Sequence, residues 1–180
     1  MKKAILIDLD GTLVDTESLD DLAMTRVLKN NGFALKESFI GCTLEEYILK
    51  ITRNKRIQKK IKAEFLEEYQ LLLKNEKLSI NYKLLKLIKK ESEIKIVLVT
   101  SNKKKLVRII LEKIKLEQFF DLIVTSEDTV KQKPHPEPYL KAIEILNLNP
   151  SECVAYEDTE TGQKSAQLAG IKCNKIKFES

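Results

Sequence analysis

The sequence predicts an α/β fold, in which a wholly helical subdomain is inserted into a domain with a doubly wound parallel sheet. Two observations lead to this prediction. Short apolar runs recur along the chain, and in its second half helical patterns alternate with them, which is typical of doubly wound sheets. In the first half, about eighty residues without a strand pattern separate the first run from the second, far more than one crossover helix requires. At 180 residues and 43% hydrophobic, the chain can bury one core that carries such an insertion.

Five apolar runs are the predicted strands, near residues 4, 94, 120, 153 and 171. Taken together, the runs are rich in apolar and β-branched residues, as expected of strands that are buried in a parallel sheet. In chain order they read AILID, IKIVLVT, FDLIVT, CVAYE and IKCNKIKF.

The helices of the sheet domain are predicted from apolar residues at helical spacing. One helix extends from Asn81 to around Glu91, and another follows Asn102, a candidate N-cap residue. A third follows Pro136, and a last one leads to Gly170, the predicted C′ residue.

The inserted segment carries three helical patterns. The first starts near Leu19 and ends near Gly32, and the third is a longer apolar stripe over residues 57–72. Between them Thr43, with Glu46 three residues later, predicts a capping box that opens the helix TLEEYILKI. The predicted boundaries are core 1–15, insert 16–79 and core 80–180.

Cysteine pattern and composition indicate a cytoplasmic protein. Cys42, Cys153 and Cys173 are odd in number and have no CxxC spacing, and the chain starts without a signal-peptide pattern. No apolar run approaches the length of about 18 residues that a membrane span needs. The net charge of +5 comes mainly from lysines, and we expect these lysines to lie on solvated helix faces.

The single histidine excludes several classes of enzyme. His135 alone cannot supply an HExxH zinc site or a metal site with two histidines, and a Ser-His-Asp triad lacks the GxSxG nucleophile elbow. The chain also has neither the GxxxxGKS/T loop nor the GxGxxG loop of common nucleotide sites.

The first strand leads directly into two carboxylates. Asp8 and Asp10 are two residues apart at its C-terminal end, so both start out on the same face. Ligands of doubly wound sheets bind beyond this end of the strands, and Gly11 allows a tight turn there. The alternative is an ordinary Asp-Gly turn that only ends the strand.

The second strand ends in hydroxyl and amide groups at the start of a helix. Thr100, Ser101 and Asn102 offer hydrogen-bond donors there, and such donors at a helix N-terminus can bind an anion. For Asn102, the role of an ordinary N-cap is the favoured alternative.

Two further strand ends carry an ammonium group and more carboxylates. Lys133 precedes three alternating prolines in a rigid loop, with Lys131 as the alternative, and the fourth strand ends in Glu157 and Asp158. Converging carboxylates need a cation to stay ionised, and oxygen ligands without a nearby His or Cys favour Mg2+. A metal, a lysine and several donors can stabilise the charge of a transferring phosphoryl group. One aspartate would then attack the phosphorus, and the other would handle the proton.

Four motifs in this order resemble the haloacid dehalogenase (HAD) superfamily, in its phosphatase branch with a helical cap after the first motif. They are DLDGT at 8–12, the threonine of IVLVTSN, the lysine of KPHPEPY, and EDTETG at 157–162 followed by Ala169-Gly170. The resemblance implies a HAD-like Rossmannoid core with its five strands in the order 5-4-1-2-3 and the first strand at the centre. The chain is similar to the β-phosphoglucomutase and phosphoglycolate phosphatase-like subgroup.

The resemblance also implies roles for single residues. Asp8 would be the nucleophile that forms an aspartyl-phosphate, and Asp10 would protonate the leaving oxygen and then activate water. Thr100 and Lys133 would hold phosphoryl oxygens. The other implied phosphate-binding residues are Gly11, Ser101 and Asn102. The implied Mg2+ ligands are Asp8, the backbone carbonyl of Asp10, and Asp158, with Glu157 supporting Lys133 or the metal's outer shell.

The implied activity is hydrolysis of a small phosphorylated metabolite, with a mutase of the β-phosphoglucomutase type as the alternative. The mutase carries a histidine where this chain has Asp20, and an arginine where it has Leu44. Both departures favour hydrolysis. Asp10 favours phosphoryl transfer, because the dehalogenases of the superfamily lack this second aspartate.

A basic run in the insert suggests another alternative, a non-catalytic protein that binds nucleic acid. Six basic residues occur within RNKRIQKKIK: Arg53, Lys55, Arg56, Lys59, Lys60 and Lys62. Ile57 and Ile61 interrupt this run at helical spacing, and it has no aromatic residue on which bases could stack. We therefore expect a small phosphorylated metabolite as the partner, neither nucleic acid nor membrane, and a monomer as the favoured state.

Overall fold

The computed structural model describes residues 2–34, 44–89 and 93–178. Cys42, the predicted capping residue Thr43 and the predicted helix end at Glu91 lie outside the described residues. The chain divides into two compact units, one formed by Met1–Asp15 with Leu78–Ser180 and the other by Thr16–Lys77.

Strands and helices of the described residues alternate along most of the chain. The strands are β1 (Ala4–Ile7), β2 (Val14–Asp15), β3 (Ser79–Ile80), β4 (Lys95–Val99), β5 (Leu122–Val124), β6 (Cys153–Glu157) and β7 (Lys172–Lys175). The helices are α1 (Glu17–Asn30), α2 (Leu44–Ile51), α3 (Lys55–Asn75), α4 (Tyr82–Ile88), α5 (Lys104–Ile114), α6 (Glu137–Ile145) and α7 (Glu160–Leu168).

The first unit is built on a five-stranded parallel sheet with the spatial order β5-β4-β1-β6-β7. This is the predicted order 5-4-1-2-3 of the five core strands, so the predicted fold and strand order are confirmed. β1 lies at the centre, with Ile7 opposite Leu98 of β4 and Tyr156 of β6. The chain that leaves β1 is therefore flanked by the C-terminal ends of both neighbouring strands.

The core of this unit forms where helices cover the sheet. All four residues of β1 are buried, and Tyr139 and Ala142 of α6 pack in one cluster with Val97, Val99 and residues of α7. Burial of each large apolar side chain contributes about 1.5–3 kcal/mol to folding. This packing holds the strand ends, and the polar side chains that follow them, in place.

A two-stranded antiparallel ribbon was absent from the predicted elements. β2 pairs with β3, with Val14 opposite Ile80 and Asp15 opposite Ser79. The expectation of no strand between the first and second core strands is therefore wrong. Two-residue strands are too short to show any periodicity, and only the pairing of distant segments reveals them.

Two predicted helix ends have different outcomes. Gly170 follows α7 with a φ of +76°, which confirms it as the C′ residue. Asn102 is not an N-cap, because α5 begins after Lys103 and the Asn102 side chain bonds to a side chain outside the helix. Asparagine is common at both kinds of position, so its place in the sequence could not separate them.

The second unit is helical throughout its described residues. α1 packs against α3, where Arg26 and Glu68 form an ion pair at 2.7 Å. In α3, Ile61 is buried and Ile57 is half-buried, whereas the basic residues of the same segment are exposed. Lys60 and Lys62 pair with Glu64 and Glu45, so the basic run is the outer face of a packed helix. Within the described chain, no helix has the length and apolar character that a membrane crossing requires.

The carboxylate of Glu152, which is paired with Lys3, makes the first unit less stable at acid pH. Glu152 accepts hydrogen bonds from Lys3 Nζ at 2.6 Å and from the Asn149 backbone N–H at 2.8 Å, which lower its pKa from 4.5 to about 2. The folded-state pKa is the lower one, so the stabilisation is complete above the ordinary pKa and is lost as the pH falls toward the folded-state value. We expect Glu152→Gln to reduce the loss of unfolding free energy between pH 4.5 and pH 3.

Urea unfolding at a series of pH values measures this effect. Glu117→Gln, at an exposed position, is the matched control and should follow the wild-type curve. A Glu152→Gln protein with the same pH dependence as the wild type would contradict the assignment.

Candidate active site

The two aspartates of DLDGT lie in the turn directly after β1, beyond its last residue Ile7. Gly11 has a φ of +72° and donates its N–H to the Val14 carbonyl at 2.9 Å. The backbone N–H of Asp8 donates to Tyr156 of β6 at 3.1 Å, so the sheet pairing continues as far as this carboxylate. The predicted tight turn is confirmed, and it carries Asp8 and Asp10 past the edge of the sheet.

The central cation of the site is the ammonium group of Lys133. Lys133 lies in the loop before α6, and its side chain is only 6% exposed. Nζ donates to Asp8 Oδ1 at 2.6 Å, to Glu157 Oε1 at 2.5 Å and to the Val99 carbonyl at 2.8 Å. An ammonium group has three N–H donors, so all of them are used. Lys131, the alternative considered from the sequence, is exposed.

Burial and neighbouring charges together shift the pKa values of Lys133 and Asp8. Burial by itself lowers the pKa of Lys133, but the carboxylates of Asp8 and Glu157 outweigh it and raise that pKa above its ordinary value. Burial raises the pKa of Asp8 well above its ordinary value, and Glu157 adds to this while Lys133 opposes it. The site therefore holds more negative charge than one lysine can balance.

Glu157 is held by donors on one oxygen only. Its side chain is 1% exposed, and Oε1 accepts from Lys133 and from the Tyr139 hydroxyl, each at 2.5 Å. Oε2 is buried and has no hydrogen-bond partner among the described residues. A Cβ at Gly162 would lie 2.0 Å from this oxygen, so only glycine leaves room for the carboxylate there.

Asp158, the next residue, points to a different donor. Its Oδ1 accepts a hydrogen bond from the Thr12 hydroxyl at 2.7 Å. Thr12 is fully buried, and its backbone carbonyl accepts from the Asn81 side chain at 3.1 Å. The last residue of DLDGT and the start of α4 thus orient the second acidic residue of EDTETG.

The carboxylate of Asp10 is oriented from the end of β4. Asn102 Nδ2 donates to Asp10 Oδ2 at 2.7 Å, and Thr100 Oγ1 donates to the same oxygen at 3.3 Å. The Asn102 backbone N–H donates in turn to Thr100 Oγ1 at 3.0 Å. Ser101 is exposed at this strand end. Thr100 and Asn102 therefore lie next to the candidate acid and base.

The acidic residues fit a hard divalent cation. One carboxylate oxygen each from Asp8, Glu157 and Asp158 lies within 4.8 Å of the other two. Glu157 Oε2 is buried without a partner, and a carboxylate oxygen in that state calls for a cation, a water or a proton. Because the donor set is all oxygen, it suits Mg2+ better than a softer metal.

Three contributing residues received no role from the sequence, although each lies in a recognised motif. Thr12 of DLDGT and Gly162 of EDTETG are recognisable from the sequence only as parts of their motifs, and Tyr139 of KPHPEPY only as an apolar position of the helix predicted after Pro136. No periodicity separates a tyrosine that only fills a core from one whose hydroxyl bonds to a carboxylate. The sole available signal was their presence within motifs that carry other site residues.

Comparisons with known proteins identify the family of the chain. The family model of haloacid dehalogenase-like hydrolases matches residues 5–176. A putative phosphatase, YhcW, of Bacillus subtilis is 31% identical and aligns over 96% of this chain and 82% of its own length. The pyrophosphatase PpaX of Bacillus mycoides is 33% identical, over 93% of this chain and 80% of its own.

Solved structures have the same fold. A HAD hydrolase of family IA, variant 3, from Entamoeba histolytica superposes with a TM-score of 0.80 at 29% identity and covers 95% of this chain and 82% of its own. A predicted phosphoglycolate phosphatase from Haemophilus somnus has a TM-score of 0.87 at 21% identity, over 98% of this chain and 86% of its own. The second likeness bears on the fold alone.

Proposed function

This chain is a phosphatase that belongs to the haloacid dehalogenase-like hydrolases, and we propose that it hydrolyses a small phosphorylated metabolite through an aspartyl-phosphate on Asp8, with Mg2+ as its cofactor. The contact that carries the proposal is the 2.6 Å hydrogen bond from Lys133 Nζ to Asp8 Oδ1. It helps to keep a buried carboxylate ionised, and an ionised carboxylate is the form that attacks phosphorus.

In the proposed first step, an oxygen of Asp8 bonds to phosphorus while the bond from phosphorus to the leaving oxygen breaks. Asp10 gives its proton to that leaving oxygen. Thr100 and Asn102 hold Asp10 through a single oxygen, Oδ2, and so limit the orientations of its carboxyl group. Donors in a fixed position next to the reacting group require little reorganisation during transfer.

The proposed second step regenerates the enzyme. Asp10 takes a proton from a water molecule whose oxygen attacks phosphorus, the Asp8–phosphorus bond breaks, and inorganic phosphate leaves. Lys133 stays beside Asp8 throughout and neutralises part of the charge that returns to its carboxylate. Gly11, Ser101 and Asn102 are the further residues that we propose to contact the phosphate.

We propose Asp8, the Asp10 backbone carbonyl and Asp158 as the metal ligands, with Glu157 close by. When bound, Mg2+ would neutralise these carboxylates and withdraw charge from the phosphoryl oxygens. The hydrogen bond from Thr12 fixes one oxygen of Asp158 and thereby orients the carboxylate toward Asp8.

The second unit, Thr16–Lys77, is the proposed cap that selects the substrate. Asp20 on α1 and Leu44 at the start of α2 occupy positions where a phosphosugar mutase would need a basic residue, so we propose hydrolysis rather than mutase chemistry. Inorganic pyrophosphate joins sugar phosphates as a candidate substrate, because several relatives are named pyrophosphatases. We also propose a monomer in the cytoplasm, where the free thiols of Cys153 and Cys173 would stay reduced.

Metal removal tests the proposed cofactor. With a panel of an aryl phosphate, phosphoglycolate, sugar phosphates and pyrophosphate, we expect a chelator to lower phosphate release about a hundredfold or more, and added Mg2+ to restore it. Phosphate release is followed colorimetrically, and Ca2+, which is larger, is added in a parallel series as the control cation. Release that is unchanged after exhaustive chelation would contradict the metal assignment but not the phosphatase.

A further inference from the structure

The hydroxyl of Tyr139 is a buried polar group in an otherwise apolar position. The side chain is fully buried and packs in the core cluster with Val97, Val99 and Ala142. Phenylalanine would fill the same space without a hydroxyl that has to be satisfied. The tyrosine hydroxyl must therefore have a use, or at least a partner, at this position.

That partner is Glu157. The hydroxyl donates to Oε1 at 2.5 Å, and Lys133 donates to the same oxygen at 2.5 Å. Lys133 Nζ also lies 5.3 Å from the centre of the Tyr139 ring, within reach of a cation–π interaction. Tyr139 thus contacts both members of the ion pair.

The contacts of Glu157 remove its freedom to rotate. Lys133 and Tyr139 hold Oε1, while Oε2 lies against Gly162, where even a Cβ would clash. With the ammonium group and the hydroxyl both donating to one oxygen, the plane of the carboxylate is fixed by two donors. Without the hydroxyl, Lys133 alone would hold that oxygen, and the carboxylate could tilt about this single hydrogen bond.

The orientation of Glu157 matters because three adjacent strands share the ammonium group. Lys133 Nζ is bonded to Val99 at the end of β4, to Asp8 directly after β1, and to Glu157 at the end of β6. The first acceptor is a backbone carbonyl and is fixed by the sheet. Glu157 is a side chain, so its position depends on its own partners.

We infer that Tyr139 is a positioning residue for phosphoryl transfer, whose hydroxyl fixes Glu157 and thereby places the Lys133 ammonium group beside Asp8. It acts through Glu157 and touches neither the substrate nor the reacting atoms. This inference rests on the proposed function, since the placement of Lys133 has a consequence only if a phosphate group binds beside Asp8.

Tyr139→Phe tests the inference, because it removes one oxygen atom and keeps the ring. With the best substrate of the panel we expect kcat to fall about tenfold and KM to rise, because Lys133 contacts the phosphoryl group both in the bound substrate and during transfer. Isothermal calorimetry with inorganic phosphate, in the presence of Mg2+, gives a readout without turnover, and we expect phosphate to bind about tenfold more weakly. Tyr156→Phe is the matched control, because Tyr156 directly precedes Glu157 on β6 and its side chain points to the opposite face of the strand.

A double-mutant cycle separates positioning from a general structural role. In a Glu157→Gln background, Tyr139→Phe should lower kcat by less than about twofold, because the carboxylate that the hydroxyl orients is already gone. An equal loss of kcat in both backgrounds would overturn the inference, as would wild-type kcat and phosphate affinity in Tyr139→Phe. Thermal unfolding of all variants is measured in parallel, and a loss that matches the unfolded fraction also overturns it.

Failure of the inference differs from failure of the proposed function. If the wild type releases phosphate and Tyr139→Phe has the same kcat and the same phosphate affinity, only the inference fails. If the wild type releases no phosphate from any panel member, the proposed function fails, and phosphate affinity alone decides the inference. A wild type that neither turns over nor binds phosphate overturns both.

Discussion

Asp8→Asn is expected to abolish phosphate release, by about a thousandfold or more in kcat. The amide that replaces the carboxylate cannot form the bond to phosphorus, and Asp10 is held away from that role by Thr100 and Asn102. The measurement is phosphate release from the best substrate, with rapid-quench trapping of a phosphorylated wild-type protein.

Stability separates a chemical effect of Asp8→Asn from a folding defect. Burial and the neighbouring Glu157 already raise the pKa of Asp8, so removing its charge relieves repulsion in the site. We therefore expect an unfolding midpoint equal to or above that of the wild type. Asp121→Asn, which removes a carboxylate bonded to Lys95 before β5, is the matched control for activity. An Asp8→Asn protein that remains active, and whose activity copurifies with it through two further columns, would overturn the aspartyl-phosphate mechanism.

Lys133→Met is expected to lower both stability and activity. The methionine keeps much of the side-chain length but removes all three hydrogen bonds, and it leaves the buried carboxylates of Asp8 and Glu157 without their cation. Loss of one partner of a buried ion pair costs about 3–5 kcal/mol in the free energy of unfolding. We expect kcat to fall about a hundredfold or more, since the charge that helps to keep Asp8 ionised is lost.

Urea unfolding at neutral pH, with and without Mg2+, measures the loss for Lys133→Met. Added Mg2+ should recover part of the stability if the cation binds the same carboxylates, and a second change, Glu157→Gln, should recover part of it without metal. Lys131→Met is the control, because Lys131 is exposed only two residues away. Equal unfolding free energies for Lys133→Met and the wild type would show that the ion pair contributes no net stability.

The sheet and the position of the site were predictable because they depend on local patterns. Runs such as AILID are apolar on both faces, which is typical of a strand buried in a parallel sheet, and parallel strands bring their C-terminal ends to one edge. Asp8, Thr100 and Lys133 follow three different strands and Glu157 ends a fourth. The structure brings all four to that edge. The short β2–β3 ribbon was missed, because two residues carry no period.

The partners of each side chain could not be read from the pattern. Asn102 was assigned to a helix cap, yet its amide bonds to Asp10, because α5 begins one residue later than the pattern indicated. Glu157 and Asp158 are adjacent, and the resemblance, not their order, implied that Glu157 supports Lys133 or the metal's outer shell; the structure shows the contact with Lys133. Successive residues at a strand end point in different directions, so the two carboxylates meet different partners.

The fold class, the strand order implied by the four motifs and the charged residues at one edge of the sheet can all be predicted without coordinates. The packed structure is needed to show that Lys133 donates its three N–H groups to Asp8, Glu157 and Val99. It is also needed to show that Tyr139 and Gly162 restrict the position of the Glu157 carboxylate. The difference lies in how far apart along the chain the interacting residues are. Strand and helix patterns arise from neighbours along the chain, whereas hydrogen bonds between residues 125 positions apart, such as Lys133 and Asp8, exist only after the core has packed.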